Sequence, residues 1–340
     1  MRPPVYRNSV LSLAVLMFVS FAAAAAAAPV DQAGFVKLGG IEQWIGIKGE
    51  RRANPVLLVV HGGPGDVQWP EAAKYLPWER YFTVVQWDQR GAGRTFGRYG
   101  KATPNVDLAH ISRDGIELAQ WLCKNLDKRK IIVLGHSWGS IVAVSMVKAR
   151  PDLFAAYVGT GQVESWKASV KLQFAMDLAK AKADKDRAWL KQLEAIGAPD
   201  PANTHQYFGF NRLLAIMAPS DQAWIGHLRS DPAPRKRVKD FKDLEEGMLF
   251  SGEKLLPDQV AEDLSKSATR IDTAFFVIQG KDDHVTPTEA AVDYFNKVEA
   301  PHKELVLILD AGHFAFMTSG RLFLQALVDR VRPVAMARGA

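Results

Sequence analysis

Short uninterrupted apolar runs recur along the chain at Val56 to Val60, Ile131 to Leu134, Phe275 to Ile278 and Leu305 to Leu309. A strand with one wet face alternates apolar and polar residues. Runs without that alternation predict strands covered on both faces, as in a parallel sheet with helices on either side. Segments of helical period separate the runs, as crossovers between parallel strands require. Phe82 to Val85 and Ala155 to Val158 predict further strands, and Phe35 to Leu38 with Ile41 to Ile47, joined at Gly39-Gly40, predict an N-terminal hairpin. The pattern is that of a doubly wound α/β domain. Between Glu164 and Ala268 its character changes. Lys/Ala/Asp-rich helical stretches such as Ala175 to Ile196 alternate with Pro/Asp-rich breaks at Ala198 to Asn203 and Asp231 to Pro234, and no buried-strand run occurs. A mostly helical insertion is expected there, after a strand ending near Gly159 and before the sheet resumes at Thr273.

The N-terminus follows a different pattern. Arg2 and Arg7 precede an apolar run from Val10 that ends in poly-alanine, with small-x-small cleavage options near Ala26 to Ala28. This is the form of a secretory signal, so export to the periplasm or beyond is expected, with no stable membrane association after cleavage; an uncleaved membrane anchor is the alternative. The expected organisation is a signal peptide over residues 1–28, an α/β catalytic domain built from 29–163 and 269–340, and a helical cap over 164–268. Loss of Arg2 and Arg7 lowers the formal charge from +6 to +4, too little to argue for a nucleic-acid partner. The densest basic patch, Arg235-Lys236-Arg237 with Lys239 and Lys242, is interleaved with carboxylates and reads as a solvated face. Cys123 is the only cysteine, which rules out an intramolecular disulfide, and it lies on the amphipathic segment Ile111 to Leu126 as a small hydrophobe.

Candidate chemistry begins where the second run ends. Gly135-His136-Ser137-Trp138-Gly139 follows Ile131 to Leu134 and opens a helical segment, the context in which Gly-x-Ser-x-Gly holds a nucleophilic serine on a sharp strand-to-helix turn. Such a serine needs a base and an acid, and open α/β sheets place functional groups beyond the carboxyl ends of their strands. Asp283 follows Phe275 to Ile278, and His313 follows Leu305 to Leu309. The order Ser, Asp, His is that of the fold carrying this elbow. His313 would take the hydroxyl proton and Asp283 would orient the imidazole. Asp282 is the rival acid, with Asp283 favoured because it lies nearer the Val285-Thr286-Pro287 helix start. His61-Gly62-Gly63-Pro64-Gly65 follows Val56 to Val60, where glycines let backbone amides approach a substrate. The amides of Gly63 and Trp138 are the expected oxyanion donors. No metal-ligand spacing is present.

Together, His61 to Gly65, Asp88-Gln89-Arg90-Gly91-Ala92-Gly93-Arg94 and Gly135 to Ser140 resemble the proline iminopeptidase family of α/β-hydrolases. The resemblance implies the α/β-hydrolase fold, with a mostly parallel sheet flanked by helices and an inserted helical cap. It also implies cofactor-free removal of an N-terminal residue, often proline, from small peptides or amides. Asp88 to Arg94 reads as a loop-bracing Arg/Asp network. The departure lies in the cap. The family holds the substrate amine with cap carboxylates, one within a Trp-x-x-Trp-Glu-like stretch, and the nearest segment here, Trp224-Ile225-Gly226-His227-Leu228, lacks one. Glu245-Glu246 reads as a solvated helix face, while Trp166, Tyr207, Phe208 and Trp224 are either pocket lining or helix packing. An esterase or lactonase acting on a small neutral ester is therefore the alternative substrate reading. A binding protein that has lost catalysis is disfavoured by the intact Ser, Asp and His, and an epoxide hydrolase or dehalogenase would carry Asp at position 137.

Overall fold

The computed structural model describes residues 28–197, 216–230 and 241–340. Residues 1–27 of the expected signal peptide, the breaks at Ala198 to Asn203 and Asp231 to Pro234, the basic patch from Arg235 to Lys239, and Tyr207 with Phe208 lie outside them.

Among the described residues, eight strands form one sheet: β1 (Val30–Leu38), β2 (Ile41–Gly49), β3 (Val56–Val60), β4 (Thr83–Trp87), β5 (Ile131–His136), β6 (Phe154–Thr160), β7 (Ala274–Gly280) and β8 (Lys303–Ile308). Their spatial order is β1-β2-β4-β3-β5-β6-β7-β8. The hairpin β1-β2 pairs antiparallel to itself and to β4, and every other pairing is parallel. Adjacent residues of one strand serve opposite cores. Val56, Leu58 and Val60 pack on one side of the sheet while Leu57 and Val59 pack on the other, and Ile131 and Val133 are divided in the same way from Ile132 and Leu134. Both faces are therefore dry, which is why these strands show no alternation.

Among the helices, α1 (Gly93–Tyr99), α2 (Leu108–Leu126), α3 (Trp138–Ala149), α4 (Trp166–Ala183), α5 (Arg187–Ile196), α6 (Pro219–Ser230), α7 (Phe241–Ala261) and α8 (Thr288–Lys297) matter here. Residues on α2, α3 and α8 cover one face of the sheet. Trp78 and the C-terminal helical run, through Phe323, Leu327 and Val331, cover the other. Helices α4 to α7 lie between β6 and β7, and the ends of this insertion meet at an isolated bridge, Ser165 with Asp263.

Two expectations are corrected. Leu305 to Leu309 was expected to be covered on both faces, yet β8 ends at Ile308 and is only partly covered, with Leu307 and Leu309 exposed. It is the last strand in the sheet, so one edge and part of one face meet solvent. Ala175 to Ile196 is not one helix but parts of two. Lys185 adopts a positive φ of 57°, and the Asp186 side chain accepts from Trp189 N at 2.9 Å, ending α4 and capping α5. Cys123 is half-buried on α2, with its thiol pKa pushed up by burial.

Candidate active site

Ser137 stands between β5 and α3 with φ 54° and ψ −122°, a sparsely populated conformation for a residue with a side chain. Surrounding bonds hold it there. Its N–H donates to Thr160 O at 3.0 Å, and its carbonyl accepts from both Ser140 N and Ser140 Oγ, at 2.8 and 2.7 Å. The left-handed turn thus falls on the serine, while the flanking glycines serve close packing. A Cβ at Gly139 would collide with Val60 O, and one at Gly135 with Gly139 O, so the start of α3 presses directly on the sheet. Trp138 is the first residue of α3, so its N–H has no partner within the helix and points beyond the N-terminus.

His313 follows β8 and meets Asp283 across a 3.0 Å bond from Nδ1 to Oδ2. Five donors converge on that carboxylate. Val285 N and Thr286 N reach Oδ1 at 2.9 and 3.0 Å, while Gln279 Nε2, Thr286 Oγ1 and His313 Nδ1 reach Oδ2 at 2.8, 2.9 and 3.0 Å. The partner of His313 is therefore Asp283, and the rival Asp282 is half-buried beside it. Burial by itself would lower the His313 pKa, but the charge and hydrogen bond of Asp283, then the charges of Asp221 and Asp66, carry it above the ordinary histidine value.

His136 lies between the elbow and His313. Its ring centroid is 4.7 Å from that of His313, and its Nε2 donates to His313 O at 3.2 Å. Burial and then the charge of His313 hold its pKa well below normal. No hydrogen bond joins Ser137 to His313 among the described residues. Pairs of this kind commonly close only once substrate is bound.

The loop after β3 supplies the remaining wall. Gly63 is exposed there, with φ 110°. Gln89 braces the loop from the side: its Nε2 donates to His61 O at 3.0 Å, its N–H to His61 Nε2 at 3.3 Å, and its Oε1 accepts from Trp138 Nε1 at 3.3 Å. One glutamine therefore ties both flanks of the expected oxyanion site. Its neighbours behave as the bracing network the sequence suggested. Arg90 and Asp114 form a buried two-pronged ion pair at 2.8 and 2.9 Å, Asp88 Oδ2 accepts from Arg94 N at 2.8 Å, and the Arg94 guanidinium lies 4.2 and 4.0 Å from the Trp44 and Trp69 rings. His61 is fully buried, which lowers its pKa to about 4.

From the cap, Gln173 on α4 donates to Val285 O at 2.5 Å, and Asp221 on α6 accepts from His313 N at 2.6 Å and Phe314 N at 3.1 Å. His284 Nδ1 contacts Ile216 O. Trp166 packs among Val170, Ala181 and Leu193 inside the cap, and Trp224 packs on the sheet-side core with Lys74 Nζ 5.0 Å from its ring. Helix packing accounts for both tryptophans. Glu245 and Glu246 are exposed. Gln89, Thr286 and Asp221 escaped the sequence reading. The first sat in a motif with no evident chemistry, and the third carries no local signal of a partner 92 residues away. No cluster of three metal-ligating side chains occurs among the described residues.

A strand-borne serine elbow, a histidine–carboxylate pair beyond later strands and a glycine turn after β3 are the parts of a hydrolase site on this fold. Residues 55–319 match the alpha/beta hydrolase fold family, and the chain belongs to it. Within that family it is similar to aminopeptidases and proline iminopeptidases. "Probable aminopeptidase YbaC" of Bacillus subtilis is 29% identical over 312 residues, spanning 87% of this chain and 95% of its own length. A "Probable proline iminopeptidase" of Streptomyces coelicolor is 28% identical over 205 residues, 57% of this chain and 60% of its own. Among solved structures, the proline iminopeptidase-related protein TTHA1809 of Thermus thermophilus superposes with a TM-score of 0.61 at 17% identity, covering 91% of this chain and 98% of that one. A thermophilic esterase of Thermogutta terrifontis does so with 0.58 at 18%, covering 89% and 99%. At these identities the two structures share the fold.

Proposed function

We propose that the protein is an exported serine hydrolase of the proline iminopeptidase type, removing an N-terminal residue from small peptides or amides through an acyl-enzyme on Ser137. The observation that carries this reading is the His313–Asp283 pair beyond the strained Ser137 elbow. Because Nδ1 holds the proton shared with Asp283, Nε2 is the basic nitrogen. Ser137 Oγ attacks the substrate carbonyl as its proton passes to His313 Nε2, and the oxyanion is held by the amides of Gly63 and Trp138. The intermediate collapses, and the leaving amine departs with the proton from His313. Water then attacks the ester carbonyl, giving its proton to His313, which returns one to Ser137 as the acid leaves. The aminopeptidase and proline iminopeptidase relatives support the amide substrate.

A second reading, an esterase or lactonase, is favoured by the absence of a carboxylate from the Trp224 to Leu228 stretch. Both Asp221 oxygens are engaged by backbone N–H groups, and Glu245 and Glu246 face solvent, so these three offer an amine no buried partner; Asp177 on α4 is a buried cap carboxylate and is the one to test for that role. The experiment has two stages. A fluorophosphonate should label the wild type at Ser137 and leave Ser137→Ala unlabelled; absence of label on folded wild type sinks both enzyme readings. Turnover of a proline-arylamide is then expected, whereas turnover of only a short acyl-arylester selects the esterase. Export is tested by fractionation and by N-terminal sequencing, which should find the mature chain beginning near Ala26 to Pro29.

A further inference from the structure

The cap grips each loop of the His–Asp pair separately. Gln173 of α4 holds the acid loop through Val285 O, and Asp221 of α6 holds the base loop through the N–H groups of His313 and Phe314. The two grips differ in kind, because the first is neutral and the second places a carboxylate against the backbone of the histidine itself. We infer that Asp221 is a positioning residue of the hydrolytic site, a cap carboxylate that fixes the His313 turn and supplies a second negative charge behind the imidazole. The inference rests on the reading of His313 as the general base.

The geometry is specific to a carboxylate. Asp221 has no exposed surface, and each of its oxygens accepts one N–H from consecutive residues. An anion satisfies both donors at once, and charge-assisted bonds of this type are the strong ones; burial raises the Asp221 carboxyl pKa above its ordinary value, while the charge of His313 and the two N–H bonds favour its ionised form. The approach is also cleared for it, since a Cβ at Gly312 would occupy the place of Asp221 Oδ2. The third position of α6 favours a negative charge, because unpaired N–H groups gather at a helix N-terminus. The charged and titratable groups acting on the His313 ring are Asp283 from the loop after β7 and His136 from the end of β5, which contact it, and Asp221 from α6 and Asp66 from the loop after β3, which act through their charge. The imidazolium formed when Ser137 loses its proton therefore meets the negative charge of Asp221 on the cap side, in addition to Asp283. A cap out of place takes that charge and both hydrogen bonds with it, and the base works at full rate only under a docked cap.

The test uses the full-length mature protein and the pH dependence of fluorophosphonate inactivation, which needs Ser137 and its base but no knowledge of the natural substrate. In Asp221→Asn, one acceptor becomes a donor and the charge is lost. Inactivation at the pH plateau should slow at least roughly tenfold, and the acid limb should move down by about 0.5 to 1 pH unit. Asp221→Glu retains the charge with a longer arm, so its limb should stay at the wild-type position while the plateau falls. Gln173→Leu breaks the neutral grip and should leave the limb where it is. A plateau within twofold of wild type and an unmoved limb in Asp221→Asn overturn the inference, as does an Asp221→Glu limb shifted like that of the asparagine variant. A wild type that never reacts at Ser137 instead removes the serine-hydrolase reading, a distinguishable failure.

Discussion

At the residue scale, the proposed mechanism puts the pH dependence on His313. In it only the neutral imidazole can take a proton from Ser137, and the pKa of His313 is held above the ordinary 6.5. The acid limb of kcat/KM for any substrate the wild type turns over should therefore lie above pH 6.5, with activity lost as the pH falls through it. Asp283→Asn leaves the imidazole without its anionic partner and favours the wrong tautomer, so kcat should fall by roughly 10³- to 10⁴-fold. One pH–rate series on both proteins checks the two expectations. At this scale the site was partly legible in the sequence. Ser137, Asp283 and His313 announce themselves because each stands just past an apolar run that the sheet requires. Thr286 and Asp221 do not, since a threonine in a turn and an aspartate at a helix start are commonplace, and only the folded chain brings them to Asp283 and His313.

At the element scale, the central strands were legible because burial on both faces erases alternation. The same rule overreached at β8, an edge strand whose sequence resembles theirs but whose Leu307 and Leu309 remain wet. The break between α4 and α5 was missed because Asp184 to Asp186 lies in a run of helix-forming residues, and the capping role of Asp186 shows only in its bond to Trp189 N. Arg90 and Asp114 join three elements that do not adjoin in sequence. Arg90 leaves the loop after β4, pairs with Asp114 on α2 and donates to Gly39 O in the β1-β2 turn, while Asp114 also accepts from Gln43 Nε2 on β2. Both side chains of the pair are 1% exposed. Asp114→Asn leaves the guanidinium charge buried with only carbonyl partners and should destabilise the fold by about 3 to 5 kcal/mol. Urea unfolding should show this as a lower midpoint at an unchanged slope.

At the scale of the whole molecule, acid stability follows from buried histidines. The His61 pKa is lowered from 6.5 to about 4 on folding, so between these values the unfolded chain binds a proton that the native protein does not. The stabilisation is complete above pH 6.5 and is lost as the pH falls towards 4, amounting to about 3 kcal/mol at most. His136, also held neutral, adds to the same trend. Denaturation midpoints measured from pH 7 to 4.5 should fall with a slope that is shallower in His61→Asn. The meeting of Ser165 with Asp263 has a consequence of another kind. An insertion whose two ends meet side by side hangs on a single stem, so its length and sequence can change without moving the strands on either side. Here the insertion also reaches back to the acid and base loops through Gln173 and Asp221, so a cap swapped into its place would have to bring its own partners for Val285 O and for the N–H groups of His313 and Phe314.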